Sequence, residues 1–224
     1  QLVWQKHNTC LPASMATVVQ STPPLDADEL AVDLTYGGTM AWRALDWLRD
    51  HGFVVKPFIF TAALAKQLFH RGLSFIYITE GDDWSHATAA IGYDEAVGTL
   101  ILHDPSQMRQ IRIIMDKIKE AFGPFSPEAV AVVPSNRAEE LDIIPDSVSR
   151  PFELYMTFWK IHQEKGLTAT ESILETLNQE FPEHLLTRRL QAIYFANTGK
   201  IAEALDIQEA LLAEYPNSVQ CRRD

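Results

Sequence analysis

Two strand-like runs, Ala87 to Tyr93 and Thr99 to His103, are separated only by Asp94-Glu95-Ala96-Val97-Gly98. So short a connection makes an antiparallel hairpin and excludes a parallel crossover, which needs a dozen or so residues. Register then decides everything, because a slip of one residue sends every side chain to the other face. With the hairpin centred near residue 95 or 96, cross-strand partners sum to about 190 or 192. His86 is then opposite Asp104, or one diagonal step from it, on the same face. An odd register would bring His103 round instead and turn Asp104 away.

The surrounding pattern mixes helices with further strands. Residues 10–35 read as helical, reset around Ser21-Thr22-Pro23-Pro24. Another helix carries Met40, Leu45, Trp47 and Leu48 on one stripe and ends at His51-Gly52. Phe53 to Phe60 reads as a strand, Thr61 to Arg71 as a helix, and Leu73 to Thr79 as a second strand. After the hairpin come a strand at Gln110 to Ile114, a short helix at Met115 to Phe122 and a closing strand at Ala129 to Val133. Residues 135–150 are polar and Pro-containing and read as a linker.

Beyond Pro151 the pattern is helical throughout. Glu180-Phe181-Pro182-Glu183-His184 and Glu214-Tyr215-Pro216-Asn217-Ser218 recur at a spacing of 34 residues, as do Ile173/Ile207 and Leu177/Leu211. That is the period of tetratricopeptide repeats, helix pairs that stack side by side. Gly199, Ala204 and Pro216 fall on the repeat's turn, small-residue and closing positions; the first copy departs, with Gly166 one residue out of register and Thr170 in place of the alanine. Four helices in antiparallel pairs are expected, with Trp159, Ile173, Leu177, Ile193, Ile207 and Leu211 inward. Two units bury little surface alone, so one end of this tail should pack on the first domain or on another chain.

Composition narrows the functional classes. A formal charge of −11 argues against a nucleic-acid partner, and no run of residues is apolar enough for a membrane span. The two cysteines, Cys10 and Cys221, lie near opposite ends, which gives no disulfide framework and too few thiols for a cysteine-based metal site. Neither a metal nor a cofactor is called for. The lack of a disulfide pattern and of a span favours a soluble, cytoplasmic protein, although a chain opening on Gln1 leaves a removed leader or a truncated start open.

The residues that carry chemistry are Gln5, Cys10, His86 and Asp104. A thiol nucleophile needs a base, a group to orient the base, and donors for the oxyanion. Asn8-Thr9-Cys10-Leu11-Pro12 has capping residues followed by a proline in the first turn, so Cys10 should open a helix, where unpaired N–H groups favour a thiolate. His7 precedes the helix and is expected in solvent. Asp82-Asp83 reads as a solvated turn, and Trp84 and Ser85, beside His86, are placed to line a substrate groove. His51, His70, His162 and His184 read as surface residues, and Cys221 as an exposed thiol.

Gln5, Thr9-Cys10-Leu11-Pro12-Ala13-Ser14, Ser85-His86-Ala87, Ile91-Gly92-Tyr93-Asp94 and Leu102-His103-Asp104-Pro105 together resemble the family-39 cysteine peptidases. These are papain-like domains best known for cutting bacteriocin leader peptides after a double glycine, often fused to ABC exporters. The resemblance covers roughly residues 1–134, and a stand-alone variant with a tetratricopeptide tail is closer still. It implies an α+β chain: a papain-like peptidase domain at 1–134 with N-terminal helices and an antiparallel sheet, a linker at 135–150 and helical repeats at 151–224. It also implies Cys10 as nucleophile, His86 as base, Asp104 as its orienting partner and Gln5 as oxyanion donor, acting on a peptide or protein substrate, with a protein partner on the repeats. Leu11 departs from the family, which has glycine there; the side chain either narrows the cleft or marks a member without activity. The alternative function is therefore an inactive, peptidase-like peptide-binding module. Hydrolysis and acyl transfer use the same four groups and stay open.

Overall fold

The computed structural model describes residues 2–19, 23–35, 38–80, 85–107, 109–122 and 128–216. Three helices open the chain: α1 (Cys10–Val18), α2 (Ala27–Leu34) and α3 (Ala41–Asp50). A six-stranded sheet follows, made of β1 (Phe53–Ile59), β2 (Phe75–Glu80), β3 (Ser85–Asp94), β4 (Thr99–His103), β5 (Gln110–Ile114) and β6 (Glu128–Pro134). Helix α4 (Ala62–His70) joins β1 to β2, and α5 (Met115–Phe122) follows β5. The strand order is β1-β6-β2-β3-β4-β5 and every pairing is antiparallel. The strand expected to close the sheet, β6, is thus inserted between β1 and β2. Its near-continuous burial fits that central position, while Pro57 sits on the outer strand β1, where a missing N–H is tolerated.

Side chains alternate between two cores. Ile76, Ile78, Ala87, Ala89, Val130 and Val132 face α1, α2 and α3. Phe75, Tyr77, Ala90, Leu100, Leu102, Ala129 and Ala131 face α4 and α5. Helix α1 is buried on almost every side, including Leu11, Ala13, Ser14, Met15 and Ala16, as a helix wedged between a sheet and two other helices must be.

The hairpin departs from a regular ladder in one place. Next to the loop, Asp94 pairs with Thr99, Tyr93 with Leu100 and Gly92 with Ile101; beyond that, Ala90 pairs with Leu102 and Ala89 with His103. Ile91 is left over as a bulge. Near the loop the partners sum to an odd number, and past Ile91 the sum is 192. The even register that puts His86 and Asp104 on one face is therefore made by the bulge and not by the turn.

The stretch expected as a linker is folded. Residues Ser135–Leu141 form a 3-10 helix, and Leu141 and Ile144 are fully buried against the core on the α4 side. Helix α6 (Asp146–Lys165) then begins five residues before Pro151. Its Phe152 and Phe158 are fully buried in the same core as α1 and β6. Lys56 reaches Asp146 at 3.0 Å, Lys160 reaches Asp46 at 2.6 Å, and Trp42 donates to Gln163 at 3.0 Å. The helical region thus docks on the sheet domain through α6, one of the two outcomes expected.

Helices α7 (Glu171–Glu180), α8 (Leu185–Asn197) and α9 (Ile201–Glu214) complete the tail. The 34-residue recurrence has a backbone counterpart. Phe181 (φ −142°, ψ 56°) donates its N–H to Leu177, and Tyr215 (φ −130°, ψ 65°) donates its N–H to Leu211. Leu177 and Leu211 are both fully buried, and Trp159, Ile173, Ile193 and Ile207 pack against the same core. His184, expected on the surface, instead caps α8 by accepting the Leu186 N–H at 3.2 Å, and burial lowers its pKa. Among the described residues no helix is long and apolar enough to cross a membrane.

Candidate active site

Cys10 is the first residue of α1. Asn8 supports the entry with a left-handed backbone (φ 56°), and the Thr9 hydroxyl accepts the Lys6 N–H at 2.9 Å. The first bond of the helix runs from Ala13 N–H to Thr9 O, so the N–H groups of Cys10 and Leu11 precede the hydrogen-bonded ladder. Pro12 lies in this first turn, where a missing N–H costs nothing. The Ser14 hydroxyl, fully buried, donates to the Ala87 carbonyl at 3.1 Å and pins α1 to β3 beside His86.

His86 stands second in β3 and bridges the other two groups. Its Nε2 lies 2.8 Å from Asp104 Oδ1, and the same ring interacts with the Cys10 thiol, whose pKa it lowers while its own is raised in turn. Since Nε2 is on the carboxylate, Nδ1 is the atom left for sulfur. Asp104, at 5% exposure, sits just beyond β4. Its Oδ1 also accepts the Ser106 N–H at 2.8 Å and the Ser106 hydroxyl at 2.7 Å, and its Oδ2 accepts Gln107 Nε2 at 3.1 Å.

The electrostatics follow from these contacts. Burial pushes the Cys10 thiol up, but hydrogen bonds from His86 and the Ala87 N–H, the His86 charge and the Leu11 N–H outweigh it, leaving the thiol below its ordinary value. His86 is raised to about 9, chiefly by its bond to Cys10; burial opposes this, and the bond and charge of Asp104 add to it. Burial also pushes Asp104 up, yet the Ser106 hydroxyl, His86 and the Ser106 N–H hold it below its ordinary value. A lowered thiol beside a raised imidazole favours the thiolate–imidazolium form of the pair, next to an Asp104 carboxyl that is itself held low.

Gln5 enters from the N-terminal segment. Its backbone N–H donates to Pro105 O at 2.9 Å, and its side-chain Oε1 is buried without a hydrogen-bond partner among the described residues. Leu11, expected on the cleft wall, has its side chain in the core at 6% exposure. Only its backbone N–H faces the sulfur, because the helix turns the side chain inward. Ser85 is exposed at the start of β3, whereas Trp84, Asp82-Asp83 and Cys221 lie outside the described residues. Sequence reasoning missed Ser106 and Gln107. The signal was there in Asp104-Pro105-Ser106-Gln107, since an aspartate at a turn commonly accepts the N–H two residues on.

No family profile and no curated protein matches this sequence. Among solved structures the chain is similar to the peptidase domain of Streptococcus ComA, a bi-functional ABC transporter involved in a quorum-sensing pathway. Identity is 18%, covering 60% of this chain and 98% of that one, with a TM-score of 0.46. It is also similar to a double glycine motif protease from an AMS/PCAT transporter, solved in complex with the leader peptide. There identity is 17%, covering 60% of this chain and 91% of that one, with a TM-score of 0.43. Likenesses this loose carry no argument about chemistry.

Proposed function

We propose that this chain is a papain-like cysteine peptidase, or an acyl transferase of the same chemistry, acting on peptide bonds. The observation that carries the reading is His86 held between two partners, the Cys10 thiol on one side and Asp104 Oδ1 at 2.8 Å on the other. The Cys10 thiolate adds to a peptide carbonyl, forming a C–S bond and an oxyanion. The Cys10 N–H and the Gln5 amide receive that oxyanion, one such donor being worth about 3 kcal/mol. The C–N bond then breaks as the His86 imidazolium protonates the leaving amine. Water, deprotonated by neutral His86, attacks the thioester and releases the acid and the thiolate; an amine in place of water gives transfer. Asp104 keeps the imidazole oriented and stabilises its charged form.

Leu11 was the reason to consider an inactive binding module, and its burial takes the side chain away from the sulfur. The tail reads as two tetratricopeptide-like units, supported by the matching ends of α7 and α9, and its role is to dock a protein partner or substrate. The test of the site is alkylation by iodoacetamide near pH 6, mapped by peptide so that Cys221 serves as an ordinary thiol for comparison. Cys10 should react at least about tenfold faster than Cys221; equal rates would remove the activated thiol and with it the peptidase reading.

A further inference from the structure

We propose that His103 is a positioning residue for the oxyanion site, holding Gln5 in place through the backbone of Val3. The proposal rests on the reading of Cys10 as an acyl-accepting thiol. His103 is fully buried, on the face of β4 opposite Asp104, and takes no part in the Cys10-His86-Asp104 row. Its Nε2 lies 2.8 Å from the Val3 carbonyl. A carbonyl oxygen only accepts, so Nε2 carries the proton and the ring is the donor. The indole of Trp4 meets the same ring edge-on, with centroids 4.6 Å apart.

Three bonds tie residues 3–5 to the two elements that carry the chemistry. Val3 N–H donates to the Thr17 hydroxyl on α1 at 3.1 Å, Val3 O accepts from His103, and Gln5 N–H donates to Pro105 O at 2.9 Å. The segment is therefore stretched between the helix that bears Cys10 and the strand end that bears Asp104. Each anchored backbone group lies within two residues of Gln5, whose buried side-chain oxygen has no partner among the described residues. A full-sized imidazole buried to reach one main-chain carbonyl is unexplained by packing alone, since an apolar side chain would fill the space without needing a partner. Adjacent residues at one strand end thus serve opposite halves of the site: Asp104, just past β4, orients the base, and His103, the last residue of β4, sets the segment that supplies the donor. Misplacement of a catalytic group by about 1 Å can cost on the order of 100-fold.

Two probes of the full-length chain separate these halves. Iodoacetamide reacts by displacement at carbon and forms no oxyanion, whereas acylation by p-nitrophenyl acetate passes through one, forming the C–S bond and releasing p-nitrophenolate. His103→Phe should slow the p-nitrophenolate burst about 10- to 100-fold while Cys10 alkylation stays within about twofold. His103→Gln, whose amide nitrogen can stand in for Nε2, should restore the burst to within about threefold. In a Gln5→Ala background, His103→Phe should add less than about twofold, because both act through one donor. An unchanged burst in His103→Phe, a parallel loss of alkylation, or a full penalty persisting in Gln5→Ala would each overturn the proposal. Should His103→Phe fail to fold, His103→Asn, polar but too short to reach Val3, takes its place with the same expectations. A wild-type Cys10 no more reactive than Cys221 is a different failure: it removes the peptidase reading and this proposal together.

Discussion

The site end of the sheet and the helical tail are held together by different physics. At the site, single polar bonds join residues far apart in the chain: Ser14 to Ala87, His86 to Asp104, His103 to Val3. Each works only at one distance and direction. In the tail, Leu177 and Leu211 are buried at equivalent places in successive helix pairs, and ion pairs such as Arg188–Glu214 lie at the surface. Burial of this kind is non-directional and adds up over many side chains, while surface pairs add little. A region built by directional bonds holds reactive groups in register; a region built by burial holds shape and tolerates small displacements. Substitutions should therefore split by region, those at the site costing reactivity and those in the tail costing stability.

The largest effect expected is total. Cys10→Ala should abolish the p-nitrophenyl acetate burst with no loss of thermal stability; a burst surviving in that variant would place the nucleophile elsewhere.

Asp104→Asn should come next, slowing the burst about 10³-fold with the fold retained. Its pH profile sharpens the assignment. In the parent chain Cys10 lies below its ordinary value and His86 at about 9. Alkylation should therefore set in at lower pH than for an ordinary thiol and change again as His86 loses its proton near 9. Removing the carboxylate charge lowers the His86 value, so that upper change should move to lower pH in Asp104→Asn. An unmoved upper change would mean Asp104 does not act on His86.

The tail should behave in the opposite way, with one boundary shifted. A chain ended at residue 150 loses Phe152 and Phe158, both fully buried beside the sheet, and should be grossly unstable. Ended after Lys165 it keeps α6, and Cys10 alkylation should stay within about threefold of the full chain. Phe158→Ala should cost about 3–5 kcal/mol in urea unfolding with the alkylation rate unchanged. Loss of alkylation in step with stability would dissolve the contrast between the two regions.

Ser14→Ala is the smallest change expected, about 1–2 kcal/mol, from leaving the buried Ala87 carbonyl without its hydroxyl partner. It lies on the border between the regions, so it should also slow alkylation a few-fold. A stability loss without any change in alkylation would make Ser14 part of the core alone.

The two regions also differ in how well they could be read from sequence. The tail's buried leucines and its helix ends followed from a 34-residue recurrence, because a repeat restates its own packing. The six strands were legible from apolar runs, but β6 entering between β1 and β2 was not, since local pattern carries no information on strand order. Cys10, His86 and Asp104 were legible by residue type and helix-start chemistry. Val3, Thr17 and His103 were not, because their bonds cross about 14 to 100 residues and involve main-chain groups that every residue possesses. Strict alternation through β3 also fails: it puts Ala90 and Tyr93 on opposite faces, though one core takes both. In the structure both lie on the α4 side, where Tyr93 stacks on Phe69 and bonds His70 at 2.7 Å.

Ile91 gives the hairpin slack. An unpaired residue can be drawn into a ladder, whereas a ladder cannot slip by one step without exchanging its faces. If one residue were lost between Gly92 and Asp94, Ile91 could move into the vacated pairing position and leave Ala90 opposite Leu102, so the shortening would never reach His86. An added residue has no such reserve to draw on and must open a second bulge or push the error toward the site. Along this strand the protein is thus better protected against deletion than against insertion, an asymmetry set by the parity of one residue.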